Sequence, residues 1–265
     1  MKREIKNILD QILDFNAYDE AVYSSKKDCF IFHEVYDVED KSSKPLCLSE
    51  NEIKKSLDWR SQNYELTKNW VESLPSDYLI VDLGCGPLTN SYLLKNYNAV
   101  YMDGGYFEGI DIVCDFTKRL PIKSSSVDAI LLSNVLEHIP EPQLLLKEIS
   151  RVLKKDGELL LLVPFIIKLH QTPLDFYRYT KHALQDLSNK SDLEVKEIRD
   201  VGGMLNILGN LLKLALRNED KFFNRNLLRL QFLLYRIQKK FFGEGTLLTE
   251  LPQGYALYAS KKQST

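Results

Sequence analysis

Residues 79–90 read LIVDLGCGPLTN, and the prediction of the fold starts from this stretch. A short apolar run contains one acid, Asp82, and ends at Gly84 and Gly86, which flank Cys85. Because glycine has no Cβ, a chain that turns here from a strand into a helix lets main-chain N–H groups approach a ligand. Such turns also serve dinucleotides and plain strand-to-helix connections. Alone, the stretch predicts a strand, a turn with clearance, and a helix.

From residue 78 onward, short apolar runs alternate with helical patterns, which is typical of βαβ units on a parallel sheet. Their Ile, Leu and Val content suits strands that helices cover on both faces. Helices are predicted over residues 141–157, ending at Gly157, and over residues 181–189. The predicted strands are YLIVDL, NAVYMD, GIDIVCD, VDAILLS, ELLLLVP, LEVKEIR and YALYASK.

Two regions fall outside this alternation. Residues 1–75 predict an N-terminal helical arm or cap, because apolar residues at helical spacing near the start and over residues 49–74 flank a polar loop. Residues 76–265 are predicted to form the main domain. It carries a helical insertion, residues 203–250, that is longer than usual connections.

Residues 203–243 of this insertion contain eight Lys or Arg and two acids, Glu219 and Asp220. Residues 222–242 fit a helix with a basic side and an apolar stripe. Three interpretations stay open: a lid packed on its own domain, peripheral contact with a membrane surface, and a dimer contact.

Composition excludes several classes of protein. The formal net charge of -2 gives no overall attraction to nucleic acid, so no nucleic-acid partner is expected. The four cysteines form no CxxC pair, which indicates neither a zinc site nor a disulfide framework, and no metal is predicted. The N-terminus does not resemble a secretory signal, and we expect a cytoplasmic protein, with membrane-surface association through the insertion as an additional hypothesis.

Acidic residues follow the next two predicted strands. Asp103 ends the second strand, where a carboxylate can accept hydrogen bonds from both ribose hydroxyls. Asp115 ends the third strand, where it could accept the adenine amino group while Phe116 lies against the ring. A simpler interpretation is that Asp82 and Asp115 only cap turns and that Cys85 is a small buried filler.

Five motifs occur in a fixed order over about residues 78–165, and together they resemble the class I S-adenosylmethionine-dependent methyltransferases, in the type-11 domain branch. The motifs are VDLGCGP, YMDGG, CDFTKRLPI, VDAILLSNVLEHI and RVLKKDGELLLLVPF. The resemblance implies an α/β, Rossmann-like sheet of seven strands, mostly parallel with strand seven antiparallel, and helices on both faces. It also implies S-adenosyl-L-methionine as the methyl donor.

The same resemblance assigns residues to parts of the donor. It implies that Asp82 and Gly84 lie near the methionine moiety, that Asp103 holds the ribose, and that Ser133 and Asn134 face the sulfonium. The predicted cofactor-binding set is Asp82, Gly84, Cys85, Gly86, Asp103, Asp115, Phe116, Ser133 and Asn134. The sequence departs from the family at Leu88, where a third glycine is usual, and in a short segment between strands two and three. Glu108 and Asp111 are therefore alternative ribose acids.

The acceptor side is predicted from the stretch KLHQTPLDFYRYT, residues 168–180. His170 suits a base that takes a hydroxyl proton, and Arg178 could fix a carboxylate or phosphate. The predicted catalytic residues are His170, Asp175, Tyr177 and Arg178. The alternative is a folded loop in which Asp175 and Arg178 form a salt bridge and the tyrosines pack.

Two further residues, Glu137 and His138, look catalytic in isolation. The resemblance places LEHI at a helix start after strand four, which favours a structural or pocket-lining role.

The sequence thus predicts a methyltransferase that uses S-adenosylmethionine and methylates a small-molecule or glycan-like acceptor, at an oxygen. A similar HxxPxDxYRYT stretch in relatives with such acceptors supports this acceptor class. One alternative is a non-catalytic S-adenosylmethionine-binding or scaffold protein. Another is an NAD-dependent dehydrogenase, which the incomplete GxGxxG pattern around Leu88 disfavours. The oligomeric state is not predicted.

Overall fold

The computed structural model describes residues 3–17, 22–25, 27–32, 59–216, 226, 229, 233 and 251–262. Within these residues lie nine strands: β1 Val22–Ser24, β2 Cys29–Ile31, β3 Leu79–Leu83, β4 Asn98–Asp103, β5 Ile112–Val113, β6 Val127–Ser133, β7 Leu153–Pro164, β8 Leu193–Val201 and β9 Gly254–Lys261. They form one sheet in the order β1-β2-β5-β4-β3-β6-β7-β9-β8.

The seven strands from β3 to β9 confirm the predicted sheet. Strands β5, β4, β3, β6 and β7 are parallel neighbours, and β9 runs antiparallel to both β7 and β8. The chain moves outward from β3 through β4 to β5 and then returns to β6 on the other side of β3. This reversal opens a crevice at the carboxyl ends of β3 and β6, where open α/β sheets bind their ligands.

Six α-helices accompany the sheet in the described part of the chain: α1 Arg3–Ile12, α2 Trp59–Ser73, α3 Ser91–Leu94, α4 Pro142–Val152, α5 Lys181–Asn189 and α6 Met204–Leu216. Alternate residues of the central strands face opposite sides, so that Val81 joins a core with α1, α4 and α5, whereas Ile80 joins a second core with α2 and α3. The sheet is therefore covered on both faces, as its continuous apolar strands predict.

The N-terminal region is more than the predicted helical arm. Strands β1 and β2 form an antiparallel pair, and β2 extends the main sheet in parallel with β5. Three-residue strands offer too short a pattern to distinguish from loop, which is why the sequence missed them. The boundary at residues 75 and 76 stays a prediction. Residues 33–58, with the predicted polar loop and the start of the second amphipathic stretch, lie outside the described residues.

Two helices differ in length from the predictions. Helix α4 ends at Val152, and Gly157 lies within β7 rather than at a helix stop. The pairing of β6 with β7 shifts register between Val127 and Ala129, and the chain from Lys154 to Gly157 takes up the additional length. The helix after the glycine turn, α3, is a single turn of four residues.

The insertion is described only in part. Helix α6 confirms a helical start, and residues 226, 229 and 233 are helical, while the rest of the basic stretch over residues 222–242 lies outside the described residues. Of the helices that the structure describes, none combines the length and the hydropathy needed to cross a bilayer.

Candidate active site

The glycine turn after β3 has the backbone that its sequence predicts. Gly84 and Gly86 have φ angles of +85° and +52°, which L side chains rarely adopt. A Cβ at Gly84 would lie 2.1 Å from Cγ2 of Val135, whereas a Cβ at Gly86 would meet nothing within 4 Å. The first glycine therefore permits close packing, and the second faces open space in the crevice.

The main-chain donors of this turn are used within the protein. The N–H groups of Gly84 and Cys85 both donate to the carbonyl of Met102, at 2.8 and 3.1 Å. The N–H of Gly86 donates to Oδ2 of Asp103 at 2.8 Å. These three N–H groups are therefore already paired, contrary to the expectation that they reach a ligand. What the turn offers a ligand is open space beside the main chain at Gly86.

Asp103 ends β4 and closes the turn against that strand. Its second oxygen accepts the N–H of Gly105 at 3.1 Å. Burial raises the pKa of this carboxyl, while its hydrogen bonds with Gly86 and Gly105 oppose the shift. Since a carboxylate offers about four acceptor positions, Asp103 retains capacity for ribose hydroxyls.

Asp82 lies inside β3 and is almost completely buried. Its Oδ2 accepts from Nδ2 of Asn90 at 3.3 Å, but its Oδ1 has no hydrogen-bond partner among the described residues. Burial raises its pKa to about 7, and the charge of Asp103 adds to the rise. A buried carboxylate with one unpaired oxygen is suited to a cationic ligand.

The two alternative ribose acids lie in different surroundings. Asp111 is buried before β5 and accepts the N–H of Tyr101 at 2.9 Å, so it fixes neighbouring strands at a distance from their carboxyl ends. Glu108 is exposed in the loop between β4 and β5. Of the three acids, Asp103 is the one that the structure brings to the glycine turn.

Three other residues of the predicted cofactor set have structural contacts. Asp115 caps a turn, because its Oδ1 accepts from the N–H and the hydroxyl of Thr117 at 2.8 and 2.7 Å. Phe116 packs in the core below the sheet, and Cys85 packs in a small apolar cluster. The structure thus favours the simpler interpretation of Asp115 and Cys85, and Phe116 does not present an open ring face for adenine.

Ser133 and Asn134 follow β6 at the crevice and are covered by a residue that sequence reasoning missed. The indole Nε1 of Trp59 donates to Oδ1 of Asn134 at 2.6 Å, and Asn134 Nδ2 donates to Ser133 Oγ at 3.0 Å. The Trp59 ring also lies where a Cβ of Gly254 would be, 2.2 Å away. Because Trp59 is 75 residues before Asn134, no local pattern could place it here.

The segment over residues 165–180 folds back onto the short 3-10 helix Leu136–His138. Arg178 pairs with Asp175, with Nη2 and Oδ2 at 2.8 Å, and this pairing holds the pKa of Asp175 well below its usual range. Tyr177 donates to the carbonyl of Pro140 at 2.7 Å, and Tyr179 donates to that of Leu136 at 3.0 Å. These contacts match the alternative of a salt-bridged, packed loop for Asp175, Tyr177 and Arg178.

This folding back brings His170 to Glu137 and His138, which together we call the Glu–His–His cluster. Nε2 of His138 and Nε2 of His170 lie 3.7 and 3.6 Å from Oε1 of Glu137, and the two imidazole centroids are 4.8 Å apart. Burial raises the pKa of Glu137 to about 8. Glu137 and His138, predicted to be structural or pocket-lining, thus share one site with the predicted base His170.

Comparison with known proteins agrees with this architecture. Residues 81–161 match the family described as "Methyltransferase domain". A stretch of 93 residues, 33% of the chain, is 33% identical to an uncharacterized protein of Methanocaldococcus jannaschii. The match spans 41% of the length of that relative.

Three solved structures show the same fold at low sequence identity. The cyclase SpnF has a TM-score of 0.52 at 15% identity, covering 78% of this chain and 83% of its own. A putative methyltransferase of Haloferax volcanii, solved with the Trm112 methyltransferase activator, has a TM-score of 0.51 at 16% identity, covering 81% and 95%. A putative methyltransferase of Bacillus halodurans has a TM-score of 0.50 at 12% identity, covering 75% and 98%.

S-adenosylmethionine is the cofactor predicted from the motifs. Its sulfonium and ammonium suit the unpaired oxygen of Asp82, and the open side of Gly86 leaves room for a ligand. Residues 81–161, about a third of the chain, thus match a methyltransferase domain family, and the strand order agrees with the Rossmann-like fold that the sequence predicts.

Proposed function

We propose that the protein transfers a methyl group from S-adenosylmethionine to an oxygen of a small-molecule or glycan-like acceptor. The observation that carries the proposal is Oδ1 of Asp82, which is buried without a hydrogen-bond partner in the described part of the chain. Asp82 lies in β3 opposite Leu131 of β6, two residues before the glycine turn. An unpaired buried carboxylate oxygen is costly, and a cationic ligand would remove that cost.

Donor binding in this proposal uses both carboxylates. Asp82 faces the cationic methionine end, and Asp103 accepts the ribose hydroxyls with the positions that Gly86 and Gly105 leave free. Ser133 and Asn134 border the sulfonium, under the indole of Trp59. Asp115 and Phe116 are proposed to border the adenine only with their outward-facing atoms, because Asp115 already binds Thr117 and Phe116 packs in the core.

For methyl transfer, the protein mainly has to align the acceptor with the methyl group of the donor. The donor supplies a methyl group on a positively charged sulfur, and that charge disappears as the methyl moves in line to the acceptor. Positioning and exclusion of water are therefore the main contributions, and Trp59 is suited to the second of them. A hydroxyl acceptor must also lose a proton, and His170 is the proposed base.

The acceptor is proposed to lie beside the Glu–His–His cluster, which follows β6 at the same edge of the sheet. Phe176 and Tyr177, whose main-chain N–H groups donate to the Glu137 carbonyl, are 45% and 39% exposed and offer flat faces that suit the apolar side of a sugar ring. Asp175 and Arg178 position His170, because Asp175 accepts the His170 N–H at 2.9 Å while it pairs with Arg178.

Calorimetric titration with S-adenosylmethionine, S-adenosylhomocysteine and NAD tests the donor. We expect binding of the first two, and preferential binding of NAD would overturn the proposal in favour of a dehydrogenase. Transfer of a radiolabelled methyl group to a panel of hydroxylated small molecules and glycans tests the reaction. Because the fold also serves a cyclase, donor binding without transfer to any acceptor would favour the scaffold alternative.

The cytoplasmic location, the absence of a nucleic-acid partner and the membrane contact of residues 203–243 remain predictions.

A further inference from the structure

The ligand atoms of the Glu–His–His cluster converge on one point. One carboxylate oxygen of Glu137 and one ring nitrogen each of His138 and His170 all lie within 4.8 Å of one another. Glu137 is completely buried, while the two imidazoles are partly exposed, at 11% and 29%. The cluster is therefore closed on the side of Glu137 and open to solvent on the side of the imidazoles.

The contacts of the two imidazoles direct their Nε2 lone pairs into the cluster. Nδ1 of His138 lies 2.9 Å from the carbonyl of Leu174, so this nitrogen carries the proton and donates it. Nδ1 of His170 lies 3.4 Å from Oδ2 of Asp175, which Arg178 holds in place. A carboxylate or carbonyl behind each histidine is the usual arrangement around metal-binding imidazoles.

The atoms that face the centre are unpaired. Both oxygens of Glu137 and Nε2 of His138 are buried and lack hydrogen-bond partners within the ranges that the structure describes. Three unpaired buried polar atoms at one point are costly, because each has lost its contacts with water. A cation bound between them would satisfy all three.

The distances are close to those of a metal site. Ligands at about 2.0–2.1 Å from a tetrahedral zinc ion are roughly 3.3 Å apart. The two separations from Glu137 Oε1, 3.7 and 3.6 Å, exceed this by a few tenths of an ångström. The third separation, between the two ring nitrogens, is within 4.8 Å, so binding an ion requires side-chain rotations that draw the three ligand atoms together.

We propose that Glu137, His138 and His170 bind one divalent transition-metal ion of the zinc, manganese or cobalt class, on the acceptor side of the crevice. Two imidazoles and one carboxylate favour such ions over Mg²⁺ and Ca²⁺, which prefer oxygen ligands. No metal was predicted from the sequence, because the spacing of the cysteines matches no zinc motif. The two histidines are 32 residues apart, and only the folding back of residues 165–180 joins them.

This inference rests on the proposed function and specifies how the acceptor is activated. An acceptor hydroxyl bound at an open coordination position releases its proton to water more readily. Its oxygen lone pair then forms the new bond to the methyl carbon, while the electrons of the carbon–sulfur bond return to sulfur and leave neutral S-adenosylhomocysteine. In this arrangement His170 binds the ion and does not itself act as the base. The ion, in place of His170, promotes loss of the acceptor proton.

Metal titration of the chelator-treated full chain tests the site, with Zn²⁺ followed by calorimetry and Co²⁺ by its visible absorption. We expect one ion per chain, bound roughly 100-fold more weakly or worse by Glu137→Gln and His170→Gln. His182→Gln is the matched control, since His182 is exposed on α5 away from the cluster, and it should bind as the wild type does. Absence of binding by the wild type, or equal binding by all variants, would overturn the site.

Separate readouts distinguish this inference from the proposed function. Thermal unfolding without metal shows whether each variant folds, and His170→Gln, at a partly exposed position, serves if Glu137→Gln does not fold. If the chelated protein binds S-adenosylmethionine and transfers methyl groups at the full rate, the proposed role of the ion in activating the acceptor is overturned and the methyltransferase stands. If the ion binds but the donor does not, the proposed function fails on its own terms.

Discussion

Asp82 and Asp103 face the same crevice, but their carboxylates have different partners. Asp103 accepts the main-chain N–H groups of Gly86 and Gly105, whereas Asp82 has, among the described residues, a single amide partner and one oxygen without a partner. The sequence predicted both as donor ligands without separating their roles. We therefore infer that Asp103 fixes the shape of the turn and binds the ribose. Asp82 is inferred to balance the positive charge of the donor.

Replacement of Asp103 tests its place as the ribose acid. We expect Asp103→Asn to weaken S-adenosylmethionine binding by roughly 1.5–3 kcal/mol, because it removes charge-assisted hydrogen bonds. Glu108→Gln, at the exposed alternative position, should leave the affinity unchanged. Calorimetry on both variants decides the matter, and the reverse pattern would assign the ribose to Glu108.

The pH dependence of stability tests the buried state of Asp82. Its pKa is about 7 in the folded protein, against an ordinary value of 3.8. As the pH rises from about 4 to 7, the unfolded chain loses this proton while the folded chain keeps it, so the free energy of unfolding falls, by about 1.4 kcal/mol for each unit of the shift. Above that range the contribution levels off.

Asp82→Asn should remove this part of the decline and raise the stability of the ligand-free protein at pH 8, while weakening donor binding. Urea unfolding of both proteins from pH 4 to 8 measures the difference between their free energies of unfolding. The contributions of the other buried acids are the same in both proteins and cancel in this difference. Parallel stability curves would show that Asp82 is already ionised in the fold.

At the scale of elements, the turn between β3 and α3 combines two glycines with different tasks. Gly84 allows Val135 to approach the main chain, and Gly86 keeps the crevice open. Leu88 stands where the family has a third glycine. Its φ of +56° lies in the left-handed region that favours glycine, so the backbone adopts this conformation although the residue is leucine. The departure noted in the sequence therefore does not change the course of the chain at this position.

Alanine at each glycine should separate these tasks. Gly84→Ala places a methyl group 2.1 Å from Val135 at an unfavourable φ, and we expect it to destabilise the fold by more than about 2 kcal/mol. Gly86→Ala, without a clash, should lose only about 1–2 kcal/mol but should weaken donor binding. In a double-mutant cycle by chemical denaturation, Val135→Ala should partly rescue Gly84→Ala, and additive effects would contradict the contact.

The segment over residues 165–180 shows how an element can serve catalysis without supplying all its groups. Its tyrosines bind the turn after β6, its Asp175–Arg178 pair holds the segment itself together, and His170 faces the cluster. The motif read as four catalytic residues is better described as one candidate functional residue and the scaffold that orients it.

At the scale of the whole molecule, the N-terminal helix is part of the main core. Leu9 of α1 is completely buried, and Leu13 bridges to Ile122 beside the sheet. Asp14 also pairs with Arg119 at 3.0 Å. The arm therefore stabilises the strands that carry the predicted donor ligands.

Leu9→Ala should lower the free energy of unfolding by about 2–5 kcal/mol, as cavity-forming substitutions in a core do. Asn7→Ala, exposed on the same helix, should change it by less than about 0.5 kcal/mol. Equal effects in urea unfolding would show that the arm is independent of the core.

The sequence alone specified the strands of the main sheet and the glycine turn after β3. Strands with continuous apolar residues, glycines at the turn and acids at strand ends are local patterns, and each depends on neighbours a few residues away in the chain. They were enough to predict the strands β3 to β9 along the chain and the positions of Asp82 and Asp103, while the antiparallel last strand was implied by the family resemblance and is confirmed.

Only the tertiary structure decided which polar atoms are already paired. It placed Trp59 over Asn134, directed the tyrosines of residues 165–180 to the carbonyls of Leu136 and Pro140, and brought His170 to Glu137 and His138. The physical reason is that these contacts join residues tens of positions apart, and that the hydrogen-bonding capacity of a group is fixed by its neighbours in space rather than in sequence.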